Sequence, residues 1–199
     1  MEDLSAIAKI IVATGNPGKL REMKQYLRDF PWELQLKPPT LEIEETGESF
    51  TANACLKASA VAAALGEWAI ADDSGLAVDV LDGAPGLYSA RYGRTDSDRI
   101  QRLLAELGDT EERSAKFVCA LAIARPDGAI ALQAEGICRG TILRAPCGTQ
   151  GFGYDPIFYV SQQDMTFAQM SPELKHRISH RGEAFAILLP QLKEKLGQK

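Results

Sequence analysis

No run of about 18 apolar residues occurs in the sequence, so a membrane-spanning helix is not expected. Positive charge is also short: 22 Lys and Arg stand against 27 Asp and Glu, a formal net charge of −5. Such a balance gives no general attraction for nucleic acid or an anionic membrane, so neither is expected as a partner. A small polyanion could still bind, but only through cations at particular positions. Close cysteine pairs are missing too. Cys55, Cys119, Cys138 and Cys147 are scattered without a CxxC, and His176 and His180 stand far from any such pair. Free thiols in a reducing compartment are expected, rather than a zinc site or a disulfide framework. Met1-Glu2-Asp3-Leu4 is acidic where a secretory leader carries positive charge, so the expected location is cytoplasmic. Repeats, linkers and low-complexity tracts are absent. One domain over residues 1–199 is expected, with room for two lobes.

What is present reads as alternating strands and helices. Lys9 to Ala13 is a β-branched run suited to a buried parallel strand, ended by the turn cluster Thr14-Gly15-Asn16-Pro17-Gly18. A helical stripe of Leu20, Met23, Leu27 and Phe30 follows, then a strand at Glu33 to Lys37 before Pro38-Pro39. Alanine-rich Ser49 to Leu65 predicts a long helix stopped by Gly66. Trp68 to Ala71 predicts a short strand closed by Asp72-Asp73-Ser74-Gly75. Leu76 to Leu81 is either a strand or an extended piece, Asp82 to Arg94 reads as loop, and Ser97 to Leu107 has helical spacing. From Ser114 to Ala124 the side chains alternate, Arg125 to Gly128 is a turn, and Ala129 to Gly136 returns as the hairpin partner. A third strand is expected around Ile137 to Leu143, a glycine-aromatic loop at Gly148 to Tyr154 and a short strand at Pro156 to Val160. Ser171-Pro172-Glu173 opens a helix with a hydroxyl cap and proline at its first position, and the last helix is expected from Gly182 to Leu196. The class is α/β with a mixed sheet.

Four groups of residues carry possible chemistry. Thr14, Gly15, Asn16, Pro17, Gly18 and Lys19 lie between a buried strand and a helix. Backbone N–H groups, a helix N-terminus and the Lys19 ammonium could there converge on a phosphate. The Walker A spacing is absent, and a plain strand-to-helix turn is the alternative. Glu42, Glu44 and Glu45 precede Thr46-Gly47, while Asp72 and Asp73 follow a buried strand; adjacent carboxylates repel unless a cation compensates. One carboxylate from each segment suffices for magnesium, and one can act as a general base on water. A solvated acidic loop and an Asp-Ser-Gly turn are the alternatives. Lys57, four residues after Asn53, shares a helix face with it and matters only if that helix borders the acids.

In Gly151-Phe152-Gly153-Tyr154-Asp155, a ring between glycines can lie flat on a nucleobase, and Asp155 can accept a ring N–H; a bend over an apolar patch is the alternative. Lys175, and Ser179-His180-Arg181-Gly182 at a helix junction, supply donors that suit a 6-keto purine and mismatch the amino group of adenine. Singly, each would serve as a surface charge.

Taken in order, these segments resemble the inosine triphosphate pyrophosphatase family, the non-standard purine nucleoside-triphosphate pyrophosphatases. The resemblance spans nearly the whole chain. It rests on Ala13 to Lys19, Glu44-Glu45-Thr46-Gly47, Asn53 to Ala58, Ala71 to Leu76, Gly83 to Tyr92, Gly151 to Pro156 and Ile178 to Gly182, with no departure at a motif position. It implies a long twisted mixed sheet flanked by helices, in two lobes with a central active-site cleft, and a homodimer. The implied reaction cleaves the α–β phosphate bond of ITP, dITP or XTP to the monophosphate and pyrophosphate with Mg2+. By the same resemblance, Thr14 to Lys19 hold phosphates with help from Lys57 and Lys175. Asp73 is the catalytic carboxylate near the magnesium, Ser74 touches substrate, and Glu44 is a metal ligand with Glu45 as its neighbouring alternative. Phe152 stacks on the base, Gly153, Tyr154 and Asp155 complete the pocket wall, and His180 with Arg181 read the keto edge. The stretch Gly83 to Tyr92 belongs either to the cleft or to the dimer contact.

Three other readings compete: a pyrophosphatase for modified pyrimidines or dTTP, a kinase-like phosphoryl transferase, and a nucleotide-binding module without turnover. The first would differ in its preferred base, the second in releasing ADP or orthophosphate, and the third in lacking metal-dependent turnover.

Overall fold

A computed structural model describes residues 9–195. Seven strands form one sheet in the order β2-β1-β3-β4-β5-β6-β7. They span β1 (Lys9–Val12), β2 (Glu33–Leu36), β3 (Ala69–Val78), β4 (Ser114–Ala124), β5 (Ile130–Ile142), β6 (Phe158–Val160) and β7 (Met165–Thr166). Five helices accompany them: α1 (Pro17–Tyr26), α2 (Phe50–Leu65), α3 (Asp96–Leu107), α4 (Pro172–Ile178) and α5 (His180–Lys195). β1 pairs in parallel with β2 and β3, whereas β6 pairs antiparallel with β5 and β7, so the sheet is mixed as expected. Among the described residues no helix is long and apolar enough to cross a membrane.

The chain divides into two compact units, one from Met1–Asp73, Cys119–Gly136 and Glu183–Lys199, the other from Ser74–Val118 and Ile137–Gly182. In the first unit, alternation along β1 sorts side chains to two faces. Ile10 and Val12 pack with Met23 and Leu27 of α1 and Phe185 and Leu188 of α5. Ile11 and Ala13 join Ala54, Ala58 and Val61 of α2. Both faces of the strand are covered, which explains its unbroken apolar run. The second face is built largely of alanine, including Ala69, Ala71, Ala120 and Ala122. Small side chains on helix and sheet let α2 lie close to the strands. The core of the second unit gathers Leu76, Ile100, Leu103, Phe117, Phe158 and Phe167, with Phe117 edge-on to Phe158 at 4.7 Å.

Several boundaries differ from the sequence reading. β3 does not close at Asp72; it runs on through Asp72-Asp73-Ser74-Gly75 to Val78, so the acids sit within a strand. β5 is one strand across Gly136, where a second and third strand were expected. Further along the strand, Gly140 marks close packing, since a Cβ there would collide with the backbone of Tyr159 and the ring of Phe158. α5 starts at His180 rather than Gly182, because the Ser179 hydroxyl accepts the Gly182 N–H at 3.1 Å and sets the first turn. The stretch expected as loop contains a 3-10 turn over Gly86–Arg91. β7 carried no sequence signal. The end expected for the last helix, at Leu196, lies outside the described residues.

Candidate active site

In the first unit, the loop after β1 is held by its own side chains. Asn16 caps α1, its Oδ1 accepting the N–H groups of Gly18 at 2.8 Å and Lys19 at 3.4 Å, while the Asn16 N–H donates to Thr14 Oγ1 at 3.1 Å. Pro17 has no N–H to offer and occupies the first helical position. The Gly18 and Lys19 amides expected to face an anion are therefore engaged by Asn16, and the loop's cation, Lys19, is itself paired. Its Nζ pairs with Asp72 Oδ1 at 2.5 Å.

Lys57 is the hub of the charged cluster in this unit. The ammonium donates to Glu45 Oε1 at 2.7 Å, Asp73 Oδ1 at 2.7 Å and the Asp72 carbonyl at 3.0 Å. One turn earlier on α2, Asn53 accepts the Gly47 N–H at 2.8 Å. A side chain on Gly47 would strike that same Asn53 amide. Asn53 and Lys57 thus fasten the acidic loop to one helix face, at the i, i+4 spacing visible in the sequence. Glu44 is exposed and forms no ion pair among the described residues, whereas Glu45 is committed to Lys57.

The two aspartates have different surroundings. Asp72 is fully buried, with Lys19 on Oδ1 and the Cys119 thiol donating to Oδ2 at 3.1 Å. Asp73 keeps a side-chain exposure of 11%, and its Oδ2 receives no hydrogen bond among the described residues. Burial pushes the Asp73 carboxyl above its ordinary pKa; Lys57 and Lys19 pull it down, and Glu45 adds to the rise. Burial also opposes the charge on Lys57, but Asp73 and Glu45 more than offset this and hold the ammonium above its ordinary value. The pair is unequal because Lys57 answers two carboxylates while Asp73 also faces a like charge.

The second unit gathers the other candidates. Phe152 is half-buried, with Lys175 Nζ 4.9 Å from its ring centroid and the Arg181 guanidinium carbon 6.0 Å away. Asp155 Oδ2 accepts both Lys175 Nζ at 2.6 Å and the Phe152 N–H at 2.8 Å, so this carboxylate clamps its own loop. Gly151 is required twice over: its φ is 78°, and any Cβ would collide with Asp155. Tyr154 lies in the apolar core rather than on an open wall, and its hydroxyl donates to the Ser89 carbonyl at 3.0 Å. Burial raises its pKa. Arg181 is 1% exposed and donates to Ser74 Oγ at 3.1 Å. His180 stacks on Phe117 at 4.6 Å between centroids. Lys175, expected to assist the phosphates, is grouped here with the aromatic set.

The sequence reading gave Cys119, Ser89 and Asp96 no role of their own, and offered Asp72 only as one of an adjacent acidic pair. Ser89 links β3 to the 3-10 turn, its Oγ accepting the Leu76 N–H at 2.9 Å and donating to the Gly86 carbonyl at 2.6 Å. None of these contacts has a local sequence signature.

The model of the Ham1 family matches residues 10–191. A dITP/XTP pyrophosphatase of Nostoc sp. is 68% identical over 183 residues, which is 92% of this chain and 93% of that protein. One of Synechocystis sp. is 58% identical over 182 residues, covering 92% and 94%. Among solved structures, a HAM1 protein from Coxiella burnetii is similar at TM-score 0.85 with 42% identity, covering 94% of this chain and all of that one, 100%. The Staphylococcus aureus Ham1 protein is similar at TM-score 0.84 with 41% identity, covering 94% and 99%.

Proposed function

The chain belongs to the Ham1 family, and on that premise we propose that it is a magnesium-dependent pyrophosphatase for ITP, dITP and XTP, cleaving the α–β bond to leave the monophosphate and pyrophosphate. The observation that carries this reading is the first-unit cluster in which Lys19 and Lys57 lie among Asp72, Asp73 and Glu45. Paired lysines suit a triphosphate, and a buried carboxylate with one oxygen free of hydrogen bonds suits an attacking water.

The donor set fits an oxygen-seeking cation. Asp73 Oδ2 is open, and Glu44 on the adjoining acidic loop is exposed and not committed to a lysine. Asp73 and Glu44 would hold magnesium, with Glu45 kept for Lys57. Bound there, the ion would supply positive charge against the phosphates and favour ionisation of water. Asp73 takes the proton from the water that attacks the α-phosphorus. Lys57 orients Asp73. Lys19, with Thr14 to Gly18, binds the departing pyrophosphate; an anion reaching the Gly18 and Lys19 amides displaces the Asn16 cap.

Phe152 stacks on the base, and Gly153, Tyr154 and Asp155 keep its loop in place. Arg181 and His180 donate to the 6-keto oxygen, Ser74 is held against Arg181, and Lys175 sets the cationic side of the aromatic loop. Adenine would set a donor against these donors and leave both unsatisfied. A cytoplasmic homodimer completes the reading. Tyr88, 66% exposed within the Gly83 to Tyr92 stretch, favours the dimer contact for that segment.

Pyrophosphate release across ITP, XTP, GTP, ATP and dTTP, with and without magnesium, tests the proposal. ITP and XTP should lead, ATP and dTTP should lag, and chelation should stop turnover. Orthophosphate as the product, or preference for dTTP, would refute it.

A further inference from the structure

We infer that Asp96, outside every motif of the site, is a positioning residue that fixes the ring of Phe152; this rests on the reading that Phe152 stacks on the purine. Gly151 and Gly153 both lie at positive φ, 78° and 64°. A loop built on two such glycines has little conformational preference of its own, so its shape must be imposed from outside. Two carboxylates impose it. Asp155 Oδ2 accepts the Phe152 N–H at 2.8 Å, and Asp96 Oδ2 accepts the Gly153 N–H at 2.7 Å. The peptide groups on both sides of the Phe152 Cα are thereby tethered, which fixes its φ and ψ and the direction of its Cα–Cβ bond.

Asp96 is not needed to cap α3. The helix starts with a reciprocal box in which Thr95 Oγ1 accepts the Asp98 N–H at 3.1 Å and Asp98 Oδ2 accepts the Thr95 N–H at 3.0 Å. Asp96, next in the chain, is left to reach a loop 57 residues away in sequence. Its other oxygen is held by Arg99 Nη1 at 2.7 Å, and Arg99 Nε donates to the Gly93 carbonyl at 3.2 Å. The carboxylate therefore presents Oδ2 in one orientation. Asp155, with Lys175, and Asp96, with Arg99, form two similar clamps on one aromatic residue.

The test compares wild type with Asp96→Ala, Asp96→Asn, Phe152→Ala and the Asp96→Ala/Phe152→Ala double variant. The readouts are ITP turnover with magnesium and competitive inhibition by inorganic tripolyphosphate, which has no base to stack. Asp96→Ala should raise the KM for ITP by about tenfold, the worth of one charge-assisted hydrogen bond, with kcat little changed. Tripolyphosphate inhibition should not move. Asp96→Asn, which keeps an oxygen acceptor for the Gly153 N–H, should restore most of the loss and keeps the test valid if the alanine variant does not fold. The double variant should match Phe152→Ala alone. Additive losses, or equal weakening of ITP and tripolyphosphate, overturn the assignment. Absence of ITP turnover in wild type overturns the base-stacking reading with it, whereas wild-type turnover with an unaffected Asp96→Ala overturns the Asp96 role alone.

Discussion

Neighbouring residues on a strand face opposite sides, and this separates Asp72 from Asp73 although the sequence presents them as one acidic pair. Asp72 follows the parity of Ile70 toward Lys19 and Cys119, while Asp73 follows Ala71 toward α2 and Lys57. Their substitutions should fail differently. Asp73→Asn should lower turnover by about 10²–10⁴-fold, the range for a lost general base, with a smaller loss of stability than Asp72→Asn because Lys57 keeps Glu45 as a partner. Asp72→Asn removes the partner of a cation that is itself only 14% exposed, and should lower unfolding free energy by about 3 kcal/mol in denaturant titration. Equal loss of stability in both variants would show that the strand does not divide their roles. Gly151→Ala should lower stability as well, by about 1–3 kcal/mol, because it adds a Cβ at positive φ against Asp155.

At the scale of elements, α2 is the platform that joins sequence pattern to chemistry. Its alanine face packs on the sheet, and Asn53 and Lys57 hold the acidic loop. Asn53→Ala strands the Gly47 N–H at a cost of about 1–3 kcal/mol and loosens the Glu44-Glu45 segment. The magnesium concentration for half-maximal activity should rise, as a metal titration would show; an unchanged titration would detach Asn53 from the metal site.

Much at this scale was legible: the β1 run and its turn, the Ser49 cap and Gly66 stop of α2, and the Ser171 start of α4 all sit where local propensity puts them. What was not legible depended on partners distant in sequence. Asp-Asp-Ser-Gly has turn composition, yet β3 continues through it because Lys19, Lys57 and Cys119 satisfy its carboxylates. Gly136 looked like a break, but β5 runs through it. The site itself was legible by residue type and less so by contact. Lys57 and Phe152 could be named, but Tyr154 as core, Asp155 as clamp and Asp96 as anchor follow only from tertiary packing.

For the whole molecule, a net charge of −5 means that affinity for a polyanion comes from a few placed cations. Phosphate-binding candidates belong to the first unit and aromatic, base-reading candidates to the second. Sedimentation equilibrium should give twice the chain mass if the homodimer proposal holds, and a single chain mass would dismiss it. The proposed chemistry is attack of water on the α-phosphorus with Asp73 as base. Hydrolysis of ITP in heavy-oxygen water with magnesium tests it most directly, with the label followed by mass spectrometry in wild type and Asp73→Asn. Label should appear in the inosine monophosphate, with almost no product from the variant; label in pyrophosphate, or undiminished turnover by Asp73→Asn, would contradict this mechanism.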